Sequence, residues 1–265
     1  MPQALRAGFP TWWQTWGQGR KQALMLHCSL ARTGVWQGIA GHLATCLTMT
    51  GFDLPGHGRS GDWNGEQDYH ALCTAIGASF LDQPKHLIGH SFGATVALRL
   101  AIEQPQQVES LTLIEPVFFA AAKGSDAFEA HETEFESFGN ALERDDKESA
   151  ARVFAEVWGT GVKWERLSPE MQSYLVDRIE LIPAAIPAIY EDNAGMLGPG
   201  CIESITCPTM LIAGGRSPAI IHTIHEKLAR RIPHVTHAVI SDAAHMAPVT
   251  HPGEVARCIR SFIAV

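Results

Sequence analysis

Lys85-His86-Leu87-Ile88-Gly89-His90-Ser91-Phe92-Gly93-Ala94-Thr95-Val96-Ala97-Leu98-Arg99-Leu100-Ala101 is the stretch that decides how the chain is read. Residues 85–88 are a short apolar run suited to a buried strand, and residues 94–101 suit a packed helix. Between them stands Gly89-x-Ser91-x-Gly93. In a strand–turn–helix context this pentapeptide makes a tight turn that lifts a serine hydroxyl above a parallel sheet. A side chain at either glycine would collide with neighbouring backbone. On its own the pattern is common and reads equally as a glycine-containing loop; the flanking strand and helix carry the sharper reading.

Outward from this turn, short apolar runs alternate with helical patterns. Trp12-Trp13-Gln14-Thr15-Trp16, then Gly17-Gln18-Gly19-Arg20, then Ala23-Leu24-Met25-Leu26-His27 predicts a hairpin feeding a buried strand. Residues 35–43 predict a helix, 46–52 a strand, 69–81 a helix and 110–114 a strand. Strands separated by helices imply βαβ units and a parallel sheet with helices on both faces. From Pro116 onward the strand signal vanishes. Phe128, Phe135, Phe138 and Leu142 share one helix face, and Ala150, Val153, Phe154 and Val157 share another. Ser168-Pro169 starts a third helix, which Met171, Leu175, Ile179 and Ile182 continue to Pro183, and residues 187–194 suit a short fourth. Residues 209–213 and 236–240 resume the sheet, and residues 254–263 close it with a helix.

Composition narrows the function classes. With 265 residues, 46% hydrophobic and 18% charged, the chain can bury a sizeable core in one domain, or in a domain plus an insertion. A net charge of −8 without basic clusters argues against nucleic acid or an anionic membrane as partner. No apolar run approaches the ~20 residues needed to span a bilayer. Residues 1–10 lack the apolar centre of a signal peptide, so a cytoplasmic location is expected. Cys28, Cys46, Cys73, Cys201, Cys207 and Cys258 are scattered with no C-x-x-C pair, which suits free thiols.

Two further stretches join the pentapeptide: Asp53-Leu54-Pro55-Gly56-His57-Gly58-Arg59-Ser60, and Ala244-His245-Met246-Ala247-Pro248 followed by His251-Pro252. Together with the helical insertion they resemble the α/β-hydrolase superfamily, in its capped, single-domain serine hydrolase branch, over residues 12–262. The resemblance implies a mostly parallel central sheet of about eight strands flanked by helices. It implies a core domain of residues 1–115 and 201–265, with an all-helical cap, residues 116–200, inserted after the sixth strand. It gives Asp53 the structural role of tying down its loop and makes His245 the catalytic histidine.

A serine hydroxyl is a poor nucleophile near neutral pH and needs a base within hydrogen-bond reach. Of thirteen histidines, His245 is the best placed, just beyond the last strand; the plainer reading is a surface histidine. His57 and His90 read as turn and packing residues. The pairs His222/His225 and His234/His237 lack a third ligand, no H-E-x-x-H occurs, and solvated surface is expected for them, with no metal.

The resemblance puts the acid that orients the histidine in the loop after the strand following the cap. Here that loop reads Gly214-Gly215-Arg216-Ser217, and a serine cannot serve. Some family members carry the acid at the end of the strand before the cap, which here is Glu115 in Leu113-Ile114-Glu115-Pro116. A buried carboxylate there is costly without a partner, and His245 supplies one. The order Ser91, Glu115, His245 matches nucleophile, acid and base. Asp242, Asp53 and a purely structural Glu115 remain the alternatives. The oxyanion hole is expected from the backbone N–H groups of Phe92 and of Ser29 in His27-Cys28-Ser29, where Cys28 replaces a glycine common in the family. No histidine is placed to activate Cys28 independently of Ser91.

The implied activity is hydrolysis of a carboxylic ester of a small or medium, largely apolar molecule through an acyl-enzyme, without metal or organic cofactor. The same triad also serves C–C bond, thioester and lactone hydrolysis, and the fold serves non-catalytic small-molecule receptors. Substrate character rests with the aromatic residues of the insertion: Phe118, Phe119, Phe128, Phe135, Phe138, Trp158 and Trp164. Some of these are core and some face the site. The sequence leaves the oligomeric state open.

Overall fold

Alternation along Lys21–Leu26 sets the layering of the molecule, which the computed structural model describes over residues 3–264. Ala23 and Met25 join the core on one side of this strand, Leu24 and Leu26 the core on the other. A strand buried on both faces belongs inside a sheet covered by helices on both sides. Among the described residues eight strands form that sheet: β1 (Gln3–Arg6), β2 (Phe9–Trp16), β3 (Lys21–Leu26), β4 (Leu47–Phe52), β5 (Lys85–His90), β6 (Val108–Ile114), β7 (Thr209–Gly214) and β8 (Val235–Ile240). Their spatial order is β1-β2-β4-β3-β5-β6-β7-β8. The pairs β1–β2 and β2–β4 are antiparallel and all others parallel.

Helices α1 (Gln37–Leu43) and α9 (Pro252–Ile263) bury Ile39, Leu43, Val255 and Ile259 against Met25, Ile88 and Ile212. On the opposite face, α2 (Tyr69–Ala78), α3 (Phe92–Glu103) and α8 (Ala219–Ala229) bury Ile76, Leu100 and Ile224 against Leu24, Leu87 and Leu211. Between β6 and β7 the regular elements are all helices, α4 (Asp126–Glu143), α5 (Lys147–Trp158), α6 (Pro169–Arg178), α7 (Ile186–Ile189) and short 3-10 turns, joined by irregular loops. Each of the first three begins at a side-chain cap: Ser125, Asp146 and Ser168 accept from the N–H groups of Phe128, Ser149 and Met171. This segment has its own small core of Phe138, Ala141, Ala150, Trp164 and Ile179. No helix among the described residues is long and apolar enough to cross a membrane.

One expected pairing is wrong. Residues 12–16 belong to β2, whose hairpin partner is β1, and β4 lies between β2 and β3. The glycines of the connector do not make a hairpin turn. A Cβ on Gly17 would sit 2.2 Å from the carbonyl oxygen of Leu47, and one on Gly19 2.0 Å from the carbonyl carbon of Cys46. They let the connector cross directly over the start of β4. The third helix of the insertion also ends earlier than expected, at Arg178, and the fourth is only Ile186–Ile189.

Candidate active site

Ser91 follows β5 directly and has φ 56° and ψ −121°, a region that costs a non-glycine residue on the order of 1–3 kcal/mol. Surrounding contacts impose it. The Ser91 N–H donates to the Ile114 carbonyl at 2.9 Å, and its own carbonyl accepts from the Ala94 N–H at 3.0 Å. The two glycines are steric necessities: a Cβ on Gly89 would lie 2.4 Å from the Gly93 carbonyl oxygen, and one on Gly93 2.3 Å from that of Leu26.

The loops leaving β3, β5, β6, β7 and β8 converge at the carboxyl edge of the parallel strands, where ligands bind in such sheets. There the Ser91 hydroxyl donates to His245 Nε2 at 2.9 Å, and His245 Nδ1–H donates to Glu115 Oε2 at 3.0 Å. All three side chains are buried. The other Glu115 oxygen accepts from the Gly214 N–H at 2.5 Å and from the Ser217 hydroxyl at 2.7 Å. Burial alone would push the Glu115 carboxyl up. The hydrogen bond and charge of His245, then Gly214 and Ser217, outweigh it and hold the carboxyl below its ordinary value. Ser217, at the position where the resemblance puts the acid, thus donates to the carboxylate instead of replacing it. The alternative acids are engaged elsewhere: Asp242 pairs with Arg216 in solvent, and Asp53 accepts from the N–H groups of Thr33 and Arg59.

His245 is held from two further sides. His90 Nε2–H donates to the His245 carbonyl at 2.9 Å, and the Trp158 ring stands edge-to-face against the His245 ring with centroids 4.7 Å apart. Burial pushes His90 down to about 3, so it remains a neutral brace.

Ser29 and Ser91 line the same cavities. Among the described residues, the backbone N–H groups of Ser29 and Phe92 donate to no protein acceptor. The loop that carries Ser29 is pinned by two histidines that sequence reasoning does not bring to the site. His57 Nε2 accepts from the Leu30 N–H at 2.9 Å, and His27 Nε2 accepts from the Leu54 N–H at 3.0 Å. Burial, then the neighbouring His27, pushes His57 down to about 3, which keeps it an acceptor. Their signal was their position at the two facing loops, His27 after β3 and His57 after β4. Burial pushes the Cys28 thiol up to about 12, which leaves it inert as a nucleophile.

Two chambers open from Ser91 and Ser29. One, of about 480 Å³, is walled by Phe119, Phe128, Phe135, Phe138 and Ile189. The other, of about 630 Å³, is walled by Leu30, Val35, Met171, Tyr174, His245 and Val249. Phe154 and Trp158 border both. Of the aromatic residues singled out in the insertion, Phe118 and Trp164 are instead core. Among the described residues no group of three His, Cys, Asp or Glu side chains can hold a metal ion. His225, expected at the surface, is buried on the sheet side of α8, whereas His222, His234 and His237 are exposed.

A sequence model of the alpha/beta hydrolase family matches residues 23–258. A pimeloyl-(acyl-carrier protein) methyl ester esterase of Methylococcus capsulatus is 29% identical over 256 residues, covering 95% of this chain and 97% of that protein. A protein of the same name from Yersinia pseudotuberculosis is 27% identical over 263 residues, covering 95% of this chain and 96% of its own length. A hydrolase from Pseudomonas aeruginosa superposes with a TM-score of 0.76 at 21% identity, covering 99% of this chain and 97% of that structure, a likeness of fold.

Proposed function

As this chain belongs to the alpha/beta hydrolase family, we propose that it is a serine esterase, with Ser91 as nucleophile, His245 as general base and Glu115 as the orienting carboxylate. The observation that carries this reading is the unbroken relay from the Ser91 hydroxyl through both His245 ring nitrogens to Glu115, at 2.9 and 3.0 Å. Ser91 attacks the ester carbonyl while His245 takes its proton. Glu115, held ionised, stabilises the imidazolium that forms. The developing oxyanion accepts from the N–H groups of Ser29 and Phe92, each contributing about 3 kcal/mol to the transition state. His245 then protonates the leaving alcohol, and water activated by the same ring cleaves the acyl-enzyme. The scheme uses no metal or organic cofactor.

Residues 116–200 act as a cap in this scheme, since α4, α5 and α7 supply the walls over Ser91. An ester bond is favoured because the two relatives described above are named for cleaving one. The aromatic and aliphatic walls favour an apolar small molecule. A fluorophosphonate probe tests the reading: it should form one adduct, mapped by peptide mass spectrometry to Ser91, and abolish hydrolysis of p-nitrophenyl butyrate. An adduct at another residue, or hydrolysis that survives full labelling, would refute it.

A further inference from the structure

The two chambers are not equivalent towards the catalytic base. His245 lines the larger and does not line the smaller. Resting on the esterase reading above, we infer that the 630 Å³ chamber is the alcohol site, and that the substrate is an ester of a bulky apolar alcohol whose acyl group occupies the Phe-lined 480 Å³ chamber.

The chemistry of the leaving step sets the assignment. When the tetrahedral intermediate collapses, the bond from the acyl carbon to the alcohol oxygen breaks. The proton that His245 took from Ser91 moves to that oxygen, so the oxygen must lie within hydrogen-bond reach of Nε2. The alcohol therefore extends into the chamber that His245 borders. The acyl carbon stays bonded to Ser91 Oγ with its oxygen towards Ser29 and Phe92, and its remaining substituent is left the other chamber. Trp158, packed on the His245 ring and bordering both chambers, is the partition.

Size and surface give the class of alcohol. A water molecule takes about 30 Å³ of liquid volume, so a methyl group would leave the larger chamber nearly unfilled. Its rim carries Val162, Met171 and Val249, each left 41–45% exposed. Apolar side chains facing water around one opening mark a surface suited to apolar contact. Arg32 and Glu170, of opposite sign, both border this chamber, so it presents no net charge to an ionic alcohol.

Specificity constants on two ester series test the assignment. One series holds acetate fixed and varies the alcohol through methanol, butanol and benzyl alcohol; the other holds methanol fixed and varies the acyl group from acetyl to octanoyl. The kcat/KM for benzyl acetate should exceed that for methyl acetate by about tenfold or more, as expected for added buried apolar surface. Val162→Trp, at the rim of the larger chamber, should shift the preference towards shorter alcohols. Gly139→Phe, at a position lining the smaller chamber where an added Cβ meets nothing within 4 Å, should shift it towards shorter acyl groups. Methyl acetate cleaved as well as benzyl acetate, or the two variants acting on the opposite series, would overturn the assignment while Ser91 labelling still upheld the esterase. No cleavage of any ester together with no Ser91 labelling would overturn both.

Discussion

Glu115 takes φ 53° at the end of β6, and that left-handed residue turns its carboxylate back under His245. Its two oxygens have separate partners, one on the His245 ring and one on Gly214 and Ser217. Glu115→Gln keeps the shape but cannot stabilise an imidazolium, and kcat should fall ~10²–10⁴-fold in steady-state ester assays. Because the Ser217 hydroxyl already reaches the same carboxylate, Glu115→Ser combined with Ser217→Asp moves the acid to the other loop. The double variant should recover roughly tenfold over Glu115→Ser alone. Equal activity of the two would mean that the Ser217 position cannot address His245. At this scale the sequence names the three side chains that meet, because few residue types perform this chemistry and each sits in a local motif. It does not disclose that His57 pins Leu30 or that Ser217 serves Glu115. Those contacts join distant segments with no local pattern.

The turn around Ser91 is the element with least tolerance. Gly93→Ala would force a methyl group into the Leu26 carbonyl oxygen at 2.3 Å, where backbone on both sides is fixed. A loss of about 3 kcal/mol is expected, lowering the melting temperature by roughly 10 °C in a chain of this size. A variant that melts with the parent would show that the elbow is looser than these distances. Most elements are legible from periodicity, the helices α4 and α5 and the strands β5, β6 and β7 most clearly. The connector before β3 is not: Gly17 and Gly19 read as a turn but serve a close crossing over β4. Glycine marks both situations, and only the sheet order separates them. Likewise, α8 packs its His225 face inward, which a pair of histidines at helical spacing does not reveal.

Across the whole molecule, burial holds several histidines neutral. It pushes His57 and His90 down to about 3, and His70, His131 and His225 down to about 4. In the unfolded chain each titrates near 6.5, so between about 6.5 and 4 the unfolded state binds protons that the folded state refuses. Their contribution is complete above 6.5 and shrinks as the pH falls, by at most about 1.4 kcal/mol per histidine per pH unit. Glu115, held below its ordinary value, adds a loss in the same direction at lower pH. Urea midpoints should therefore drop steeply from pH 7.5 to 5.5, and an unchanged or higher midpoint at pH 5.5 would contradict the burial of these rings. The pair of chambers is likewise a property of the whole molecule, set by how residues 116–200 seat over the sheet edge.

The central claim is that Ser91 is the nucleophile, and Ser91→Ala tests it most directly, with kcat for p-nitrophenyl butyrate measured beside the far-ultraviolet circular dichroism and melting temperature of the same preparation. The account predicts kcat lower by ~10⁴–10⁶-fold with the fold unchanged. A folded Ser91→Ala protein that turns over near the parent rate would contradict it.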